Sequence, residues 1–169
     1  MPSVLIMYSN PAKTGQTQPR NDPIRHGWTP RMSQQRTILV VDDDAELSDG
    51  LKLILERQGY KVLQARDGRQ AREVVDRVRP DLVILDMMMP RMGGYPVLEH
   101  YKERSDAPPF IMITANEGSR HKAYAELLGV VDYIRKPFPT ERLLEAVEKA
   151  FANDLDDSST QGGTPSSNT

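Results

Sequence analysis

Five short apolar runs punctuate the middle of the chain: Ile38-Leu39-Val40-Val41, Lys61-Val62-Leu63, Leu82-Val83-Ile84-Leu85, Phe110-Ile111-Met112-Ile113 and Val131-Asp132-Tyr133-Ile134. Most of these residues are β-branched or aromatic, and the longer runs do not alternate with polar ones. A short continuous run bounded by polar residues suits a strand buried on both faces. Between the runs the spacing becomes helical. Leu47, Leu51, Ile54 and Leu55 share one helix face, and so do Ala71, Val74, Val75 and Val78. Val97, Leu98 and Tyr101 follow Gly94; Tyr124, Leu127 and Leu128 mark a shorter helix; Leu144, Val147 and Phe151 mark the last one. Gly59, Pro80 and Gly129 stand where helices must stop and turn into strands.

Strands alternating with helices in this way predict an α/β architecture of right-handed βαβ units, a doubly wound five-stranded parallel sheet covered on both sides. Such sheets bind ligands beyond the carboxyl ends of their strands, near the point where the strand order reverses. The polar residues just past each apolar run are therefore the candidates for chemistry.

Those residues form a set. The first run ends in Asp42-Asp43-Asp44, the third in Asp86, the fourth in Thr114, and the fifth is followed by Lys136-Pro137. Carboxylates crowded onto one rim repel each other and raise each other's pKa, and a divalent cation removes the repulsion. With oxygen donors and no Cys or His beside them, Mg²⁺ is the matching ion. Carboxylates, Mg²⁺, a hydroxyl and an ammonium around one cavity suit a phosphoryl group, whose charge they neutralise. Taken singly, these residues have plainer uses. An acid after a strand also caps the next helix, the role expected of Asp44; Thr114 could be a satisfied strand-end hydroxyl and Lys136 a solvated amine.

Composition divides the chain further. The net charge is −2 over 169 residues, but residues 1–35 carry Lys13, Arg20, Arg25 and Arg31 against Asp22 alone, while residues 153–169 carry Asp154, Asp156 and Asp157 and no base. Both ends are poor in apolar residues, and both are expected to be disordered. The segment 36–152 is the expected domain. The absence of Cys excludes disulfides and thiolate chemistry. No apolar stretch reaches the ~18 residues of a membrane span, and nothing resembles a signal peptide. A cytoplasmic protein with no membrane contact is the expectation.

With these residues in place, the segment resembles the receiver domain of two-component response regulators. The matching pieces are Ile38–Asp43 (ILVVDD), Asp81–Gly94 (DLVILDMMMPRMGG), Ile113–Ala115 (ITA) and Tyr133–Phe138 (YIRKPF). The resemblance implies a flavodoxin-like (βα)5 fold with Asp86 as phosphoacceptor. It implies Mg²⁺ held directly by Asp43 and Asp86, by Asp42 largely through water, and by the backbone carbonyl of Met88. Thr114, with the Ala115 N–H, would bind a phosphoryl oxygen. Lys136 would pair with Asp86 and then with the phosphoryl group, ahead of a cis bond to Pro137. Tyr133 would swing inward with Thr114 and remodel the face of helix 4, strand 5 and helix 5. Met87, Met88, Met89 and Met92 line the loop after Asp86, either as an adaptable rim for a partner helix or as ordinary loop packing.

The implied partners are a sensor histidine kinase or a histidine phosphotransfer protein, and an unidentified downstream protein target. The few polar residues after 152 cannot hold a helix-turn-helix, so a stand-alone, chemotaxis-regulator-like receiver without direct DNA binding is expected. Residues 1–35, with Trp28 in a basic and proline-rich setting, are expected to be a partner-binding arm or a consequence of start assignment, given Met32. Three other classes fit less well. A haloacid dehalogenase-type phosphatase needs a DxDGT-like run where this chain has Asp42-Asp43-Asp44-Ala45-Glu46, a flavodoxin-type carrier needs a phosphate-cradling loop, and a degenerate receiver acting only as a binding module would lack part of the set Asp42, Asp43, Asp86, Thr114 and Lys136.

Two positions beside the site bear on the lifetime of an acyl phosphate: Met88, two residues after Asp86, and Asn116, two after Thr114. Met88 offers no acid, base or amide to orient an attacking water, so autodephosphorylation is not expected to be especially fast. Met88→Asn is expected to change the decay rate of phosphorylated protein several-fold; an unchanged rate contradicts this reading.

Overall fold

The computed structural model describes residues 35–115 and 118–157. The expected basic arm before Gln35, the tail after Asp157, and Asn116 lie outside them. Strands and helices alternate strictly: β1 (Thr37–Val41), α1 (Ala45–Arg57), β2 (Lys61–Ala65), α2 (Gly68–Val78), β3 (Leu82–Asp86), α3 (Gly94–Tyr101), β4 (Phe110–Thr114), α4 (Ser119–Leu127), β5 (Asp132–Arg135) and α5 (Thr140–Asp157). The strands form one parallel sheet in the order β2-β1-β3-β4-β5. The chain first steps outward from β1 to β2, then returns to the other side of β1 with β3. The order therefore reverses between β1 and β3, and the crevice beyond their carboxyl ends is the expected binding position.

The uninterrupted apolar runs are explained by two separate cores. Ile38 and Val40 of β1, Leu82 and Ile84 of β3, and Ile111 and Ile113 of β4 pack against Leu51 and Leu55 of α1 and Leu143, Val147 and Phe151 of α5. Their strand neighbours Leu39, Val41, Val83, Leu85 and Met112 face the other way, onto Ala71 and Val75 of α2, Val97, Leu98 and Tyr101 of α3, and Ala125 of α4. Successive side chains of a strand point to opposite faces, so a strand covered on both sides has no face on which polar residues can alternate.

Two elements depart from the sequence pattern. In α4 the expected stripe was Tyr124, Leu127 and Leu128, yet Leu127 is 68% exposed and Tyr124 is 40% exposed. The helix has only nine residues, and it touches the core through the smaller pair Ala125 and Leu128, one turn apart. Tyr124 instead donates its hydroxyl to Glu99 of α3 at 2.6 Å. In α5 the helix continues to Asp157, past the expected domain boundary at 152. Leu155 follows Phe151 by four residues, so the sequence stripe itself runs one turn further.

The two-sided core predicts a sharp contrast in stability. Ile111 is fully buried in a central strand while Leu53 of α1 is half exposed. Ile111→Ala should cost ~2–5 kcal/mol and Leu53→Ala no more than ~0.5 kcal/mol, compared by urea denaturation. Similar losses for both contradict the assigned packing.

Candidate functional site

β1 and β3 end side by side, and each delivers carboxylates to the crevice between them. Asp42 is fully buried, with one oxygen accepting the Asp44 N–H at 2.9 Å and the other accepting from Lys136 Nζ at 2.8 Å. Asp43, next in sequence, is exposed. Asp44 caps α1 as expected, its carboxylate accepting the N–H groups of Glu46 and Leu47. Asp86 closes β3 and is 4% exposed. Lys136 Nζ lies 3.5 Å from Asp86 Oδ1. The ammonium thus sits between two buried carboxylates and is closer to Asp42, where the sequence reading paired it with Asp86.

Burial pushes the Asp86 carboxyl up to about 6. Lys136 pulls it back, Asp42 pushes it further up, and a hydrogen bond from the Met88 N–H lowers it. Asp86 Oδ1 is buried, and among the described residues only the Lys136 ammonium at 3.5 Å compensates it, with no well-formed hydrogen bond. Buried polar atoms are rarely left so. Ligand oxygens of Asp42, Asp43 and Asp86 lie within 4.8 Å of one another. An all-oxygen acidic donor set with an unsatisfied carboxylate oxygen fits a small hard cation such as Mg²⁺. Asp43 and Asp86 have the oxygens to offer it directly, whereas both Asp42 oxygens already accept hydrogen bonds.

The loop after β3 is folded tightly back on the strand. The Gly94 N–H donates to the Met87 carbonyl at 3.0 Å. A Cβ on Gly93 would stand 2.8 Å from that carbonyl oxygen, and one on Gly94 would stand 2.6 Å from the Asp86 carbonyl oxygen. Space, rather than an unusual φ, requires the glycine pair. Met87 is buried and Met88 exposed, so the methionines of this loop do not form one continuous rim.

Thr114 ends β4 fully buried, its carbonyl accepting the Lys136 N–H at 2.7 Å and its hydroxyl 3.9 Å from the Met87 sulfur. The bond between Lys136 and Pro137 is cis. Tyr133 packs against the α2–α3–α4 core, and its hydroxyl oxygen is buried. Burial pushes its phenol up, with the Thr114 hydroxyl pulling the other way. The aromatic ring expected to swing inward is therefore already turned in, beside Thr114.

Two residues passed over in the sequence join this region. Tyr95 of α3 donates to the His121 carbonyl at 2.9 Å and packs edge-on to Tyr124, tying α3 to α4 near Tyr133. Asp67 is a buried cap of α2, its Oδ1 accepting the Gln70 N–H at 2.9 Å. The run Asp67-Gly68-Arg69-Gln70 carried a helix-start signal, an acid followed three residues later by Gln.

Comparison with known proteins agrees with this geometry. The family model of the response regulator receiver domain matches residues 38–148. The chain is 39% identical over 127 residues to a probable transcriptional regulator, ycf27, of Porphyridium aerugineum, covering 71% of this chain and 52% of that one. It is 39% identical over 107 residues to the response regulator MprA of Mycolicibacterium vanbaalenii, covering 63% and 46%. The chain thus spans about half the length of the curated relatives it matches. Among solved structures, the chemotaxis response regulator CheY4 of Vibrio cholerae superposes with a TM-score of 0.63 at 28% identity, covering 69% of this chain and 98% of that one. A CheY-like receiver domain protein of Methanospirillum hungatei gives 0.66 at 28% identity, covering 76% and 99%. Among the described residues no helix is long and apolar enough to cross a membrane.

The elevated Asp86 pKa has a consequence for stability. Its folded value of about 6 lies above the ordinary 3.8, so between these two pH values the native protein holds a proton that the unfolded chain has lost. The associated stability is complete below the ordinary value and is lost as pH rises through about 6. Without divalent cation, Asp86→Asn should therefore be more stable than the parent by ~1–3 kcal/mol at pH 8, with the gain vanishing near pH 4. Urea denaturation at both pH values checks this; a gain that is independent of pH contradicts it.

Proposed function

The chain belongs to the response regulator receiver domain family, and from that premise we propose that Asp86 accepts a phosphoryl group from phosphohistidine on a sensor histidine kinase or histidine phosphotransfer protein. The observation that carries this reading is the buried Asp86 carboxylate, whose Oδ1 is compensated only by the Lys136 ammonium at 3.5 Å and which lies beside Asp42 and Asp43. An Asp86 oxygen attacks phosphorus and forms a P–O bond. The P–N bond to the donor imidazole breaks, and its electron pair leaves with the ring. The product is an acyl phosphate on Asp86. The chain is in this reading a phosphoacceptor that assists only its own phosphorylation and dephosphorylation.

Lys136 is placed to follow the charge. Its ammonium bridges Asp42 and Asp86 and can turn to a phosphoryl oxygen as the carboxylate becomes an ester-like acyl group. Thr114 and the Ala115 N–H would take another oxygen. Mg²⁺ would be held by Asp43, Asp86 and the Met88 carbonyl, with Asp42 acting through water; when bound it neutralises the carboxylates and the phosphoryl oxygens. Withdrawing the Thr114 hydroxyl toward the phosphoryl group would change what Tyr133 packs against. The face of α4, β5 and α5 would then report phosphorylation to a protein partner. Since Tyr133 is turned in already, phosphorylation would act by shifting the population of a state the unmodified chain can reach.

The names of the curated relatives favour a second reading for the output. The algal relative is called a transcriptional regulator, so phosphorylation of this receiver would govern transcription. The expected absence of direct DNA binding gains no support from such relatives.

Incubation with Mg²⁺ and acetyl phosphate should add one phosphoryl group, located to Asp86 by peptide mass spectrometry. The adduct should be absent in Asp86→Asn and in the presence of EDTA. Phosphate on a different residue, or continuous hydrolysis of added phosphate esters, contradicts the proposal.

A further inference from the structure

The loop from Met87 to Gly93, which carries the Met88 carbonyl, is fastened at its far end to α2 rather than to the strands. Arg91 Nε donates to Asp67 Oδ2 at 2.8 Å, and the Arg91 Nη2 pairs with the same oxygen. Asp67 itself is 3% exposed and is fixed from the other side by the Gln70 N–H on Oδ1. One residue on, the Gly68 N–H donates to the Met92 carbonyl at 3.0 Å. The fit there is close, since a Cβ on Gly68 would stand 2.6 Å from the Met92 side chain and 2.9 Å from the Met92 carbonyl oxygen. Arg91 also adopts a left-handed backbone, φ 65°, which costs a residue with a Cβ about 1 kcal/mol or more. A side chain is kept where glycine would suit the backbone better, and what that side chain does is reach the buried Asp67.

We propose that the Arg91–Asp67 pair is a positioning device for the divalent-cation site, holding the loop at the height at which the Met88 carbonyl can act as a ligand. This rests on the metal reading given above. Neither residue touches the cation, so both are positioning residues. The hydrogen bond from Gln70, the chief cause, and the Arg91 pair keep the Asp67 carboxyl below the usual range, so the pair stays charged at neutral pH. In the cation-free protein the loop is already set, so binding of the ion carries no further cost of ordering it.

The test is Mg²⁺ affinity measured by titration calorimetry on the full chain, together with hydrogen exchange of the Gly68 and Gly94 amides. Arg91→Ala is expected to weaken Mg²⁺ binding several-fold and to speed Gly68 exchange. Arg91→Lys should recover part of the affinity, because its ammonium reaches Asp67 but cannot pair through two nitrogens. Arg91→Gly, which relieves the backbone and removes the pair, should bind as weakly as Arg91→Ala; wild-type affinity there overturns the proposal. So does Arg91→Ala with affinity within twofold of the parent, or a loss of affinity that Arg91→Lys does not recover. Asp43→Asn separates the positioning role from the metal site itself. If Asp43→Asn loses Mg²⁺ and Arg91→Ala does not, the positioning role alone is wrong; if neither loses it, the metal reading falls and the positioning role with it.

Discussion

A carboxylate buried at the end of a central strand has to be compensated, and the arrangement around Asp86 follows from that requirement. β3 lies between β1 and β4 and is covered on both faces, so its last residue leaves the core with almost no exposure to water. Desolvation disfavours the charged form. Lys136 supplies only part of the compensation, since it serves Asp42 at 2.8 Å and Asp86 at 3.5 Å. Three carboxylates against one ammonium leave excess negative charge in the crevice. That excess gives the crevice its preference for a hard cation.

The surrounding parts are arranged so that this charge imbalance survives folding. The two-sided core fixes β1 and β3 in register from Ile38 paired with Leu82 to Val41 paired with Leu85, which sets Asp42 and Asp86 at neighbouring strand ends. The glycine pair lets the following loop press against the Asp86 and Met87 carbonyls. The end of β5 brings Lys136 across through the backbone bond to Thr114. Each contact restricts the positions of a few oxygens and one nitrogen. The cost of the buried charge is borne by roughly thirty apolar residues in two cores, a reserve large in comparison with the ~3 kcal/mol that a shift of two pKa units represents.

Much of this was legible in the sequence because burial on both faces leaves a strong trace. The runs at Ile38, Leu82 and Phe110 could hardly be anything but inner strands, and the residues ending them had to meet at one rim. Asp44 as a cap was legible from its place before Ala45-Glu46. Tyr124 and Leu127 misled because hydrophobic spacing says which residues share a face, not whether a short helix turns that face to the core. Lys136 was readable as a member of the site from its place just after the fifth apolar run, but its pairing with Asp42, 94 residues away, was not. The Arg91–Asp67 contact was not readable at all. It depends on a left-handed residue that is not glycine, in a loop whose path is decided by Gly68, Gly93 and Gly94 meeting carbonyl oxygens.

The claim on which the account turns is that the Asp86 carboxylate is held in a state that a cation relieves. Site-resolved carboxyl NMR of Asp86, titrated with pH in the absence and presence of Mg²⁺, tests it directly. The account predicts a midpoint near 6 without the ion and a strong downward displacement with it. A midpoint near the ordinary 3.8 that Mg²⁺ leaves unmoved would contradict it.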